Sequence, residues 1–407
     1  MAQIIAGLDV GTSTVTTIVG KKGKDDSLEV MGVSVVPSEG IRKGVVIDVE
    51  DATRAIRHSI LEAGRAAQIP IKSAVISLSG SYIHTSSSRG VIAVSRADGE
   101  ISEEDVRRAF TAAETFIPKN LNRDTLHIIP KEFKVDNEVG IRDPIGMNGV
   151  RLEVDTLVLE AQIHSLKTLY KCVETAGLRR EGTVFAPIAA ADAVLTKKQK
   201  ELGVILVDMG GGTADYVIFE EGRLIHGGSI PIGGNHITND IAIGCQTMVD
   251  IAERIKLQYG TSLSDLVPKK EMIHLAEFIP DDSTLFPRKD LAEIIEARLR
   301  DVFELLNREL KKINRSQLLP AGVVLVGGGA RVPGILEVAK REMRLPVSIG
   351  IPFGFANLPC DEESSVQLAT PLGLLRWGTG ENHEGFVGAR MTESVSWAKN
   401  FFKLFLP

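Results

Sequence analysis

The sequence predicts an α/β protein of two homologous lobes, the first carrying a compact α+β insertion. Three observations predict it. The stretch "IIAGLDVGTSTVTTIVG" (Ile4–Gly20) is an apolar strand, an Asp-x-Gly turn with hydroxyls, and a second β-branched strand. "GVILVDMGGGTADYVIFEEGRL" (Gly203–Leu224) repeats that grammar about 200 residues further on, which suggests a duplication. Finally, short strand-like pieces ("GVIAVS", "TLHIIPKEFKVD", "RLEVDTLVLEAQI") surround a single helix within residues 82–161.

Taken in order, the helices have readable ends. Asp51 is expected to cap "ATRAIRHSILEAGRAAQ", whose Ala55, Ile56, Ile60 and Ala63 share one face before Pro70. Ser102 opens the capping-box-like "SEED", and Pro118 stops the helix that follows. "KTLYKCVETAG" and "IAERIKLQYG" end on Gly177 and Gly260, as helices often do. The longest helical pattern runs near 290–313, with Leu291, Ile294, Ile295, Leu299, Val302, Phe303, Leu306 and Leu310 on one stripe. Its charges read as a solvated face.

Composition narrows the classes. The 407 residues suffice for two to four domains, and 43% hydrophobic residues allow a large core. A net charge of −6 argues against nucleic acid as the main partner. Cys172, Cys245 and Cys360 lie far apart without metal-type spacing, as expected of reduced thiols in the cytosol. "MAQIIAGLDV" has no signal-peptide pattern, and no run reaches the roughly 18 apolar residues of a membrane span.

The chemistry sits in glycine-rich turns. Glycine lets backbone N–H groups approach an anion, and Ser or Thr hydroxyls add donors. The first turn offers Gly11, Thr12, Ser13 and Thr14; the second offers Gly210, Gly211, Gly212 and Thr213. Asp9 and Asp208 end the preceding strands, and two such carboxylates facing one cleft can hold Mg2+ through its water shell. One such turn alone is an ordinary hairpin; two in register make a ligand the better reading. A third element, "GVVLVGGGARVPGILEVAKREM" (Gly322–Met343), brings a strand into Gly327, Gly328 and Gly329. It has neither Rossmann spacing nor a Walker lysine, and by itself reads equally as a strand-to-helix loop.

The three elements in this order resemble the actin, sugar kinase and Hsp70 ATPase superfamily, as its phosphate 1, phosphate 2 and adenosine motifs. "FAPIAAADAVL" (Phe185–Leu195) and "TPLGLLRWG" (Thr370–Gly378) match the superfamily's connecting helices. Within it the chain resembles the FtsA family, the division actin homologues of bacteria, through "VPSEGIRKGVVIDVEDA", "GVRLEV" and "IPIGGNHITNDIA". The resemblance implies an actin-like two-lobed ATPase fold of duplicated RNase H-like domains. Residues 1–81, 162–200 and 367–385 would form subdomain 1A, and 82–161 the insertion 1C. Residues 201–235 and 314–366 would form 2A, 236–313 would form 2B, 386–393 a flexible linker and 394–407 an amphipathic membrane-targeting helix.

The resemblance also implies roles. Gly234 and Asn235 would lie beside ATP, and Glu253 and Lys256 would meet its ribose and adenine. On their own the last two read as a surface i,i+3 ion pair. Arg298 would receive the C-terminal tail of the tubulin homologue FtsZ on 2B, where a solvated arginine is the plainer reading. Later division proteins would bind at 1C, and copies of the chain would join head to tail into filaments. Two departures stand out. The superfamily's lysine after the first turn is Thr16 here, and the position that orients the attacking water is Ala186. ATP is therefore expected to bind well and hydrolyse slowly or not at all.

The last fourteen residues, "SVSWAKNFFKLFLP", put Trp397, Phe401, Phe402, Leu404 and Phe405 on one helical side and Lys399 and Lys403 on the other. That pattern fits an interfacial helix on anionic lipid at the inner face of the cell membrane; a helix docked on the protein's own core is the alternative. The alternatives are a small-molecule kinase, whose catalytic carboxylate has no evident position in the sequence, a chaperone ATPase, which would need a peptide-binding domain, and a pilus-type scaffold.

Overall fold

The computed structural model describes residues 3–23, 27–117, 122–280 and 283–380. The expected linker and amphipathic helix, with Trp397, Lys399, Phe401, Phe402, Lys403, Leu404 and Phe405, lie outside these residues.

Duplication is visible in the strand order. In the first lobe Leu28–Pro37, Thr14–Lys22, Ile4–Val10, Ser73–Leu78 and Arg179–Phe185 lie side by side. In the second, Arg223–Ile230, Ala214–Glu220, Val204–Met209, Gly322–Val326 and Val347–Ile349 lie in the corresponding order. Each sheet is an antiparallel meander of three strands followed by two parallel strands. The central parallel strand Gly322–Val326 is an apolar run with all five residues buried, as a strand covered on both faces requires. The two-residue strand Phe355–Ala356 adds to the first lobe's sheet beside Leu28–Pro37, although residues 314–366 were expected in the second lobe.

Helix Val49–Ala67 covers the first sheet with Ala52, Ala55, Ile56, Ile60 and Ala63 buried. Its cap is Asp48 rather than Asp51: the Asp48 carboxylate accepts the N–H groups of Glu50 and Asp51 at 2.9 and 3.0 Å. Val49 and Glu50 take helical geometry, so Asp51 falls in the first turn, where a negative charge also suits the helix dipole.

The insertion is a sheet ordered Ile83–Ala93, Arg151–Gln162, Arg123–Val135 and Glu138–Ile141. Helix Glu103–Thr115 lies on one face, and Val106, Ala109, Phe110 and Ala113 pack with Phe133, Leu152, Val154 and Val158 in a core of their own. In the second lobe the long helix Arg288–Lys312 buries the predicted stripe, apart from the partly buried Ile294. Helices Ala186–Val194 and Ala369–Gly378 cross between the lobes. A Cβ on Gly373 would stand 1.8 Å from the Ala189 carbonyl oxygen. Among the described residues no helix is long and apolar enough to cross a membrane.

Candidate functional site

The two repeated turns close in the same way. Gly11 N–H donates to the Thr14 carbonyl at 3.0 Å, and Gly210 N–H to the Thr213 carbonyl at 2.9 Å. They meet face to face. A Cβ on Gly211 would stand 1.9 Å from Ser13 Oγ, and one on Gly212 2.5 Å from Thr12 Oγ1. The Ser13 hydroxyl donates to Asn235 Oδ1 at 3.0 Å, and the N–H groups of Gly234 and Asn235 donate to the carbonyls of Gly210 and Gly211. First turn, second turn and the start of helix Gly234–Gly244 are thus one contiguous surface.

Behind the turns lie three carboxylates. Asp9 accepts the Ser77 hydroxyl at 2.5 Å, and Asp208 accepts Thr370 Oγ1 at 2.7 Å. The third, Asp215, is directly opposite Asp208 across the hairpin and only 4% exposed. Thr213 gives its hydroxyl to Asp215 at 3.0 Å. Burial pushes the Asp9 carboxyl up to about 7; the Ser77 bond opposes the rise and the Asp208 charge adds to it. Burial likewise takes Asp215 up to about 7, and raises Asp208. Sequence reasoning missed Asp215, although the register of the second hairpin was enough to find it. Its counterpart in the first hairpin is Thr16, paired with Asp9.

A divalent cation fits such a group, because it would relieve desolvated, mutually repelling carboxyls. Among the described residues no three His, Cys, Asp or Glu side chains converge to hold an ion directly, so the fit is through bound water.

The remaining predicted segments adjoin the same cleft. A Cβ on Gly327 (φ +83°) would stand 2.3 Å from Asp208 Oδ1, and one on Gly329 2.9 Å from Met209 Cβ, whereas Gly328 faces open space. Lys256 pairs with Glu253 at 2.6 Å and reaches Thr238 Oγ1 at 2.8 Å and the Gly234 carbonyl at 3.4 Å. The i,i+3 pair is therefore tied to the cleft wall and not only to solvent. Ala186 opens its connecting helix almost fully buried, with no polar side-chain atom. Arg298 stands apart on the long helix, in a two-bond ion pair with Asp240 at 2.6 and 3.0 Å and a further pair with Asp301 at 3.0 Å.

Two duplicated lobes joined by crossed helices, with paired hairpin turns facing one cleft, define an actin-like protein of the ATPase fold. Solved structures agree on the fold. A chain of the PilM-PilN type IV pilus biogenesis complex superposes with a TM-score of 0.66 at 17% identity, covering 92% of this chain and 98% of that one. MreB 5 of Spiroplasma citri bound to AMPPNP gives 0.53 at 14% identity, covering 93% and 96%. The family model "Cell division protein FtsA" matches residues 205–373, and "SHS2 domain inserted in FTSA" matches 80–159. Proteins described as cell division protein FtsA match along most of their length. That of Pseudomonas aeruginosa is 36% identical over 395 residues, covering 97% of this chain and 92% of its own. That of Bacillus subtilis is 37% identical over 351 residues, covering 86% and 79%, and that of Escherichia coli K12 is 33% identical over 407, covering 98% and 96%. The chain belongs to the FtsA family.

Proposed function

We propose that this actin-like cell-division protein binds ATP with Mg2+ in the cleft and polymerises on the inner face of the cytoplasmic membrane. There it tethers the FtsZ ring through its C-terminal residues and recruits later division proteins at the insertion. The observation that carries the nucleotide reading is the convergence of five separate chain segments on one cleft backed by three carboxylates, Asp215 buried and Asp9 and Asp208 partly buried.

Gly11, Thr12, Ser13 and Thr14 and Gly210, Gly211, Gly212 and Thr213 would flank the phosphates, and the open surface at Gly328 would face the adenine. Glu253 and Lys256 would bound the ribose side. Mg2+, held through water by Asp9, Asp208 and Asp215, would neutralise phosphate charge. Ala186 offers no group to orient water, so the chain would hold ATP as a switch more than consume it. Arg298 would take an acidic FtsZ tail by exchanging its Asp240 partner for a tail carboxylate. Family membership and the insertion favour the division reading over the kinase and pilus-scaffold readings, and the superposition on the pilus-complex chain reflects a shared fold alone.

The tether rests on the amphipathic pattern of residues 394–407. A helix of at most fourteen residues, within the roughly 12–15-residue limit below which isolated helices are marginal in water, would fold on lipid and hold weakly alone. Many copies on one filament would hold by avidity. The test is pelleting on anionic liposomes with and without ATP, comparing the full chain with one ending at Glu393. ATP-dependent pelleting of the full chain only is expected, with Trp397→Glu or Phe401→Glu abolishing it while ATP binding persists. Equal pelleting of both chains would remove the anchor.

A further inference from the structure

The segment "EGIRKGVVID" (Glu39–Asp48) forms a miniature hairpin that the roles above leave unused. Ile41–Arg42 pairs antiparallel with Val45–Val46, and Lys43–Gly44 is the two-residue turn between them. Both turn residues have positive φ, 51° and 77°, the signature of a type I′ turn, which favours Asn-Gly or Asp-Gly. A lysine there is conformationally costly. The second lobe's Glu221–Gly222 turn has the same signs of φ, so conformation alone singles out nothing. Position does.

The hairpin tip is wedged where both glycine turns meet. Gly44 N–H donates to Thr12 Oγ1 of the first turn at 3.0 Å. A Cβ on Gly212 of the second turn would stand 2.9 Å from Lys43 Cα. From behind, Ser79 and Gly80 press so closely that a Cβ on Gly44 would reach 2.2 Å from the Ser79 carbonyl oxygen. Lys43 therefore has a fixed root at the centre of the cleft. Its charge is felt across it: burial holds the His236 imidazole below its ordinary range and the Lys43 ammonium lowers it further. Lys43 is half-buried, and among the described residues its ammonium makes no ion pair or hydrogen bond. A charge rooted there without a protein partner is placed to meet an anionic ligand.

We propose that Lys43 contacts the phosphate chain of the bound nucleotide, supplying from the hairpin tip the cation absent at Thr16. This rests on the nucleotide reading of the cleft.

The experiment titrates the full chain, Lys43→Asn and Lys43→Arg with Mg-ATP, Mg-ADP and adenosine, and records the melting temperature of each variant. Asparagine suits the turn, so Lys43→Asn is expected to melt no lower than wild type. Its ATP affinity is expected to fall by at least about tenfold, with adenosine binding unchanged, and Lys43→Arg is expected to keep most of the ATP affinity. Wild-type ATP affinity in Lys43→Asn would overturn the proposal and leave the cleft reading intact. Equal loss of ATP and adenosine would overturn it in favour of a structural role. A wild type that binds neither ATP nor adenosine would overturn the cleft reading itself, and this proposal with it.

Discussion

Asp208 sits at the end of an apolar strand, beside two other carboxyls, with one hydroxyl from Thr370 for company. The sequence shows Asp9 and Asp208 because each precedes a glycine turn. It hides Asp215, because an acidic residue after "GGGTA" reads as an ordinary strand residue until the hairpin register sets it opposite Asp208. The pH consequence follows from the direction of the shifts. Asp9 and Asp215 have ordinary values of 3.8 and folded values of about 7, so between those limits the folded state binds more protons than the unfolded. Stability of the ligand-free protein therefore falls as pH rises through that window, and the penalty is fully present above it. Mg2+ with ATP should offset the penalty, raising the melting temperature more at pH 8 than at pH 6. Asp208→Asn keeps the hydrogen bond from Thr370 and removes a raised carboxyl. It is expected to stabilise the ligand-free protein at pH 8 by roughly 1–2 kcal/mol and to lose most of the Mg-ATP stabilisation. Scanning fluorimetry at the two pH values checks both, and a less stable variant that still responds fully to Mg-ATP would refute the account.

At the scale of elements, the insertion's helix was legible from four letters. "SEED" sets Ser102 as cap and Asp105 as its reciprocal partner, and both bonds form. What four letters could not show is that Asp105 is fully buried and also accepts the N–H and hydroxyl of Ser95, at 3.1 and 2.8 Å. Burial opposes ionisation there, yet the bonds from Ser102, Arg108 and Ser95 outweigh it and hold the carboxyl well below its usual range. Nor could sequence show where this helix lands. A Cβ on Gly90 would stand 1.9 Å from the Ala109 carbonyl oxygen, so helix and strand touch backbone to backbone. Gly90→Ala must push the helix off its sheet, at a cost of roughly 1–3 kcal/mol or more. Because the insertion has a separate apolar core, the damage should stay local. Hydrogen exchange is expected to rise across residues 83–162 and remain at wild-type levels in the strands Val204–Met209 and Gly322–Val326. A uniform rise over the whole chain would show that the insertion has no independence.

For the whole molecule, the duplication was legible because two turns repeat their order of Asp, Gly and Thr, and the strand order confirms it in space. The join between the lobes was only half legible. Both connecting helices could be named from "FAPIAAADAVL" and "TPLGLLRWG", but small residues at their centre read as mere helix formers. Their use is steric. Helix Ala186–Val194 is buried on every residue but Asp192, and it can lie against helix Ala369–Gly378 only because Gly373 has no side chain where the Ala189 carbonyl passes. The first helix contacts the second lobe's sheet and the second helix the first lobe's sheet, so their crossing fixes one lobe against the other. Gly373→Ala places a methyl group 1.8 Å from a backbone oxygen that has no rotamer by which to yield. It is expected to cost at least the upper part of roughly 1–3 kcal/mol, and to weaken ATP binding, because both glycine turns depend on the crossing for their approach. Gly182→Ala is the matched control: nothing lies within 4 Å of the added Cβ and its φ is ordinary, so stability should change little. Urea unfolding with ATP titration on both variants tests the argument. A Gly373→Ala protein as stable as Gly182→Ala, with unchanged ATP affinity, would show that the crossing does not hold the cleft.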